Sequence, residues 1–398
     1  MRISRFAALL LACALLVLPA AGLAASTSLS VAIVADDHLA LRPLELNHRD
    51  VVSLLNLVYE GLFEIDDNYQ PQPKLAYAYS FSNDGRKVQV TLRDDISFHN
   101  GQTLTSADVV ATLDYMLELA GFDEKLDSEV PVADRGLYYS TFYSIKSWEA
   151  TDEQTIVFTL RRASYGSLYA LTFPILPASQ VAADMPAGTG PYKYDGYEQG
   201  SAIWLTANDG WWNRPPQVRY VRASIYDTAE QALNAFDTQS VDIAMTRSIN
   251  ASRYSGSLNT FSISARTRQL EVLLVNRAYK DFKSDDNGQN LLRQAISYAI
   301  NRSELISSAY QNMATVAYTP IPSGTWLSNE STIRDIYDPL MAASLLDSAG
   351  YKLADDGNRY KDGKKMESLR LLVYDEPGST ARTNAANKIV DQLAAVGI

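Results

Sequence analysis

The sequence predicts a mixed α/β fold built from more than one domain. Three observations carry this. Strand-like and helix-like patterns alternate along the whole chain, with no run of one kind. The 398 residues are too many for one small domain and enough for two or three. A hydrophobic content of 46% with 20% charged residues describes a folded globular chain.

Composition also excludes functions. A formal net charge of −11 is opposite to what nucleic-acid phosphates demand. No basic amphipathic run points to a membrane surface. The three histidines, His38, His48 and His99, are far apart and share no metal-ligand spacing. Gly188-Thr189-Gly190 is a weak echo of a dinucleotide loop, but Lys193 stands where a third glycine belongs. No phosphate loop and no nucleophile elbow occurs. The expectation is a protein that is not an enzyme and uses no cofactor and no metal.

Residues 1–25 read as a secretory signal peptide. Arg2 and Arg5 precede an apolar stretch at 6–18, and small residues at 19–24 prepare cleavage after Ala24 or Ala25. Cys13 is the only cysteine. It sits inside the apolar stretch, too close to Arg5 for a lipoprotein box, so export without a lipid anchor is expected. The mature chain then has no disulfide and depends on burial.

The elements follow in order. Residues 29–34 form a short apolar strand, and 51–59 a helix ending near Gly61. Residues 79–110 are the most informative stretch. Val88, Val90 and Leu92 alternate with Gln89, Thr91 and Arg93, the period of a half-buried strand. Asn83-Asp84-Gly85 and Asn100-Gly101 supply tight turns. Thr105 and Asp108 make a capping box that opens a helix at 106–120. A hairpin at 145–150 and 155–160 comes next, and 168–183 is partly helical. Gly188-Thr189-Gly190-Pro191-Tyr192 opens strands at 192–197, 203–207 and 218–225. A helix at 228–238 and a short strand at 241–245 complete this part. From residue 270 the pattern changes to a strand at 270–276 and then longer helices. Leu291, Leu292, Ala295, Ile296 and Ala299 form the apolar stripe of the first. Asn301 caps the next, Asp338-Pro339 opens a third, 369–374 is a strand, and 383–395 is a helix stopped by Gly397.

Four ordered segments resemble one family, the extracytoplasmic solute-binding proteins of peptide- and nickel-type ABC importers, family 5. They are residues 57–63 (Leu57-Val58-Tyr59-Glu60-Gly61-Leu62-Phe63); 79–110 with Pro73-Lys74-Leu75-Ala76 before it; 188–192 with 208–216 and Val241-Asp242-Ile243; and 291–302 with Tyr337-Asp338-Pro339 and Ala349-Gly350-Tyr351. Read individually, these residues are structural: glycines for turns, Trp211 and Trp212 for packing more than for ligand stacking.

The resemblance implies a two-lobe periplasmic-binding-protein fold (type II, cluster C) with an extra domain. Lobe I would hold 26–72 and 186–268, the extra domain 73–185, and lobe II 269–398. Lobe II looks incomplete, because the chain stops where relatives begin another strand. The amine-capturing aspartate of peptide-binding relatives, which follows a tryptophan, has no counterpart before Ile398. The chain alone is therefore expected to be poorly stable and to bind weakly; a cooperative melt with micromolar peptide binding would refute that.

The resemblance also implies function. The protein would capture short peptides, or another solute, outside the cytoplasmic membrane and deliver them to ABC permease subunits, acting as a monomer. Peptide-binding relatives hold the ligand as an added strand. The ligand-facing segment would be Asn47, His48, Arg49 and Asp50. Arg49 suits a bidentate contact with a ligand carboxylate; its alternative is a solvated surface arginine. Arg266 and Arg268, at the expected hinge, carry the same two readings. An oligosaccharide, a metal chelate or an opine-like solute stays open, as does a sensing role; a secreted hydrolase lacks any supporting motif. One prediction concerns export: the secreted protein begins at Ala25 or Ser26, which N-terminal sequencing of the extracytoplasmic fraction checks.

Overall fold

The computed structural model describes residues 27–398 apart from 37–38, 47, 247, 255, 265–269, 285–288, 322–324, 329–335 and 375–379. The signal-peptide stretch lies outside the described residues. The chain divides into two compact units, Met1–Thr246 and Arg247–Ile398. Among the described residues no helix is long and apolar enough to cross a membrane.

In the first unit, β1 (Ser28–Val34) is the second strand of a five-stranded sheet. Its neighbours come from far along the chain: β10 (Tyr220–Tyr226) on one side and β11 (Ile243–Ala244) on the other, both parallel to it. β9 (Ala202–Ala207) and β8 (Tyr192–Glu198) extend the sheet in antiparallel sense. The short β1 survives because its central residues, Val31, Ala32 and Ile33, are buried. One face meets the main core through Val31 and Ile33; Ala32 on the other meets Ala232 and Ala235 of a short helix, α3 (Ala229–Asp237).

The intervening chain makes its own sheets. After α1 (Arg49–Leu55), β2 (Phe63–Ile65) pairs with β3 (Pro71–Pro73). A four-stranded antiparallel sheet follows, in the order β4 (Ala76–Phe81), β5 (Lys87–Leu92), β7 (Thr155–Leu160), β6 (Ile145–Ala150). The alternation in sequence is the alternation in burial: Val88, Val90 and Leu92 point inward beside Ile156, Phe158 and Leu160. They share a core with Val109, Leu113 and Met116 of α2 (Ser106–Ala120). The capping box forms as read. The Thr105 N–H donates to Asp108 Oδ2 (2.9 Å), and Asp108 Oδ1 accepts from the Ala178 N–H (2.8 Å). The buried carboxylate thus satisfies two segments at once.

The return of the chain to the five-stranded sheet is built around Glu60. Its buried carboxylate accepts from Trp212 Nε1 (3.0 Å), Trp211 Nε1 (3.3 Å) and Thr189 Oγ1 (2.9 Å), with Lys74 Nζ at 3.7 Å. Burial pushes the Glu60 carboxyl up, and these donors and Lys74 oppose the push. The adjacent turn presses on residues 57–58: Gly190 N–H donates to the Val58 carbonyl and Tyr192 N–H to that of Leu57, both at 2.9 Å. A Cβ on Gly188 would stand 1.9 Å from the Val58 oxygen.

The second unit packs α4 (Leu291–Ala299) on α6 (Pro339–Ser348), and α5 (Arg302–Ala309) on α7 (Ala381–Ala394). The apolar stripe of α4 is its core, through Leu292, Ala295, Ile296 and Ala299. Arg359, in a small three-stranded sheet, is fully buried; its guanidinium donates to the carbonyls of Val396 (2.6 Å) and Tyr351 (2.7 Å) and to Asp347 (2.7 Å).

Two expected strands do not form. Residues 270–276 and 369–374 are described but belong to no sheet. A strand requires a neighbour for its backbone groups, and among the described residues neither segment has a ladder partner. Leu274 is 85% exposed and Leu372 89%. Smaller differences lie at the ends: the first helix spans Arg49–Leu55 rather than 51–59, and the partly helical stretch at 168–183 is two short 3-10 turns, Tyr165–Leu171 and Ala178–Gln180.

Two glycine substitutions separate close approach from backbone conformation. Gly188→Ala is expected to cost more than about 2 kcal/mol, because backbone must move to admit the Cβ. Gly101→Ala, which meets open space but has φ +84°, costs about 1 kcal/mol. Urea unfolding of both variants measures the difference.

Candidate functional site

The three parallel strands bring Val34, Tyr226 and Ala244 to one edge of the five-stranded sheet, since these are the last residues of β1, β10 and β11. Open α/β sheets place ligands outside the carboxyl ends of such strands, where the ladder stops and loops diverge. Here the ladder continues one residue further: the Ala35 N–H donates to the Tyr226 carbonyl at 3.2 Å. The chain then leaves the sheet. Leu39, Leu41, Leu44 and Leu46 anchor the connecting loop in the core. Its carbonyls are held from outside: Tyr197 Oη donates to Leu39 (2.9 Å), and the N–H groups of Met185 and Leu137 donate to Leu41 and Leu44 (3.0 Å each).

The loop delivers the chain to α1 directly beside the end of β1. His48 is the residue before the helix, in extended conformation, and its carbonyl accepts from the Val52 N–H at 2.9 Å. Its Nε2 lies 3.0 Å from Asp36 Oδ2. Asp50 turns back, and its Oδ2 accepts from the Val34 N–H at 3.2 Å. Two carboxylates, one largely exposed at Asp36, and one imidazole therefore border the strand end. Such a border suits ligands bearing hydrogen-bond donors or an ammonium group.

A second polar group braces the loop from below. Arg42 pairs with Asp184 (2.8 Å) and reaches Glu45 (3.5 Å). Tyr115 Oη donates to Glu45 at 2.6 Å, and its hydroxyl is pushed up to about 12 by burial and then by that bond. These contacts fix the loop.

Of the six residues singled out in sequence, the structure brings His48 and Asp50 together. Asn47, Arg266 and Arg268 lie outside the described residues. Arg49 opens α1 with its backbone, and its side chain lies outside the description. Asp36, which completes the group, was not singled out. Its only signal was position, two residues past the last apolar residue of the strand. Among the described residues no group of three His, Cys, Asp or Glu could hold a metal ion. Trp211 and Trp212 sit elsewhere, bonded to Glu60.

Residues 70–398 match the family described as bacterial extracellular solute-binding proteins, family 5 middle. The glutathione-binding protein GsiB of Escherichia coli K12 is 27% identical over 341 residues, covering 81% of this chain and 61% of that protein. The chain spans about three-fifths of the length of the curated relatives it first matches. Among solved structures, NikZ of Campylobacter jejuni in complex with Ni(L-His) superposes with a TM-score of 0.71 at 23% identity, over 94% of this chain and 73% of that one. The oligopeptide-binding protein AppA of Bacillus subtilis, in complex with a nonapeptide, gives 0.63 at 22% identity, over 93% and 73%. The fold is thus the mixed α/β fold of the cluster C binding proteins over most of the chain.

The strand-end contacts differ in weight. Asp50→Ala leaves the Val34 N–H without this acceptor and is expected to cost about 1–3 kcal/mol. Asp36→Asn breaks a pair that is open to solvent and changes stability by less than about 1 kcal/mol. Denaturant unfolding of each variant checks the contrast.

Proposed function

The chain belongs to the bacterial extracellular solute-binding proteins of family 5, and from that premise we propose that it captures short peptides outside the cytoplasmic membrane and delivers them to the permease of an ABC importer. The family is one of binding proteins, not enzymes, and its members serve ABC transporters. The observation that carries the peptide reading is the border of the strand end, with the exposed Asp36 carboxylate and the His48 imidazole beside one another. GsiB supports it, since glutathione is itself a tripeptide, and so does the nonapeptide complex of AppA. The expected lobe and extra-domain boundaries stand as part of the same proposal.

In this reading the peptide lies extended across the carboxyl ends of β1, β10 and β11, and its termini meet charged side chains. His48 and Asp50 position the segment, with Asp50 holding the helix against the strand. Arg49 supplies a cation for the ligand's carboxylate, where a guanidinium makes two parallel hydrogen bonds; Arg266 and Arg268 stay ligand-binding candidates within the same proposal. Asn47 offers an amide to the ligand backbone. Binding is the whole mechanism: a ligand that prefers one arrangement of the protein shifts its population by the difference in affinity.

A thermal-shift screen of protein purified from the extracytoplasmic fraction tests the proposal. Di- to oligopeptides and glutathione are compared with a nickel–histidine chelate and oligosaccharides. A ligand at one hundred times its Kd stabilises by about 2.7 kcal/mol, which raises Tm by several degrees. Response to a chelate or sugar with none to any peptide would sink the peptide assignment. For a peptide that binds, Arg49→Ala is expected to weaken affinity about tenfold or more, by the loss of one charge-assisted contact. Titration calorimetry should find that loss for the free carboxylate and not for the C-terminally amidated peptide.

A further inference from the structure

His99 uses both ring nitrogens on one three-residue turn. Its Nδ1 accepts from the Gly188 N–H at 3.2 Å, and its Nε2 lies 2.9 Å from the Gly190 carbonyl. The reverse bond also forms, from the His99 N–H to the Gly188 carbonyl at 2.8 Å. A carbonyl only accepts and an amide N–H only donates, so the two backbone groups together fix one species: neutral imidazole with its proton on Nε2. The turn has nowhere to retreat, because Gly188 and Gly190 are pressed on the backbone of residues 57–58.

We infer that His99 is an acid-sensitive clasp: neutral, it ties the loop that follows β5 to the point where the chain re-enters the five-stranded sheet, and protonation opens the tie. A proton on Nδ1 faces the Gly188 N–H donor to donor, and a ring flip does not help, since both nitrogens of the cation donate. The surroundings agree. Burial pushes His99 down from its ordinary value, the Lys193 ammonium on β8 adds to the push, and only the Gly190 carbonyl opposes it. Asn208, which donates to the same carbonyl at 3.2 Å, is neutral. Across the turn stands Glu60, reached through Thr189, with Lys74 beyond it.

The two titrating groups at this joint have opposite signs. For His99, held below its unfolded value, the stability is fully present above about pH 6.5 and is lost as pH falls from there through the folded value. For Glu60, held above its unfolded value, the stability is present at low pH and is lost as pH rises through the folded value. Loosening on mild acidification therefore belongs to His99 alone. A protein outside the cytoplasmic membrane meets the pH of its medium, and this joint would respond to it.

Amide exchange followed by NMR at pH 7.5 and 5.5, corrected for intrinsic rates, tests the clasp. Protection of the Gly188 amide is expected to fall several-fold at the lower pH, up to the roughly tenfold that an open-state imidazole titrating near 6.5 allows at pH 5.5, while amides of β9 hold theirs. In His99→Gln that dependence on pH should vanish, whatever the level of protection. Should the variant not fold, the ring of wild-type His99 decides. A proton on Nε2 at pH 7.5 with a titration midpoint below 6.5 supports the clasp. A midpoint at or above 6.5, or protection of Gly188 indifferent to pH, overturns it.

Discussion

The first unit depends on one buried carboxylate. Glu60 gathers two indole N–H groups, a threonine hydroxyl and a lysine from three separate parts of the chain. A charge taken from water is costly unless its lone pairs are filled, and one partner alone would not offset the loss. The arrangement is therefore all or none: residues 57–63, the turn at 188–190 and the turn at 208–212 must arrive together. Lys74, the cation beside Glu60, also lies 5.8 Å from the centres of both the Trp211 and Trp212 rings, and Arg93 lies 4.6 Å from that of Trp212. The sheet, and the strand end it presents, inherit their position from this junction.

Local features were readable in the sequence wherever the reason for them is local. The helix at 106–120 and the strands at 145–150 and 155–160 appear within the bounds read from turns, caps and alternation. What failed was pairing. Residues 270–276 and 369–374 have the composition of strands, but a strand is defined by its neighbour, and composition says nothing about whether one is present. The two-residue β11 shows the same limit in reverse: it exists because β1 lies beside it.

The candidate site was half visible for the same reason. His48 and Asp50 came from the family resemblance. Their meeting with Asp36 and the Val34 backbone is a consequence of α1 folding back on β1, which no spacing rule encodes. Nor did the sequence distinguish His99 from a surface histidine. Its partners are backbone groups ninety residues away, and backbone carries no residue identity to read.

The parallel pairing of β1 with β10 joins Ser28 to Tyr220 and Val34 to Tyr226. Such a contact closes a loop of almost two hundred residues, and loops of that size form late. A chain threaded across a membrane with its N-terminus leading would deliver β1 first and its partner far behind. Until residue 226 arrives, the apolar strand has nothing to pair with. For β1 the order of synthesis and the order of folding are thus opposed.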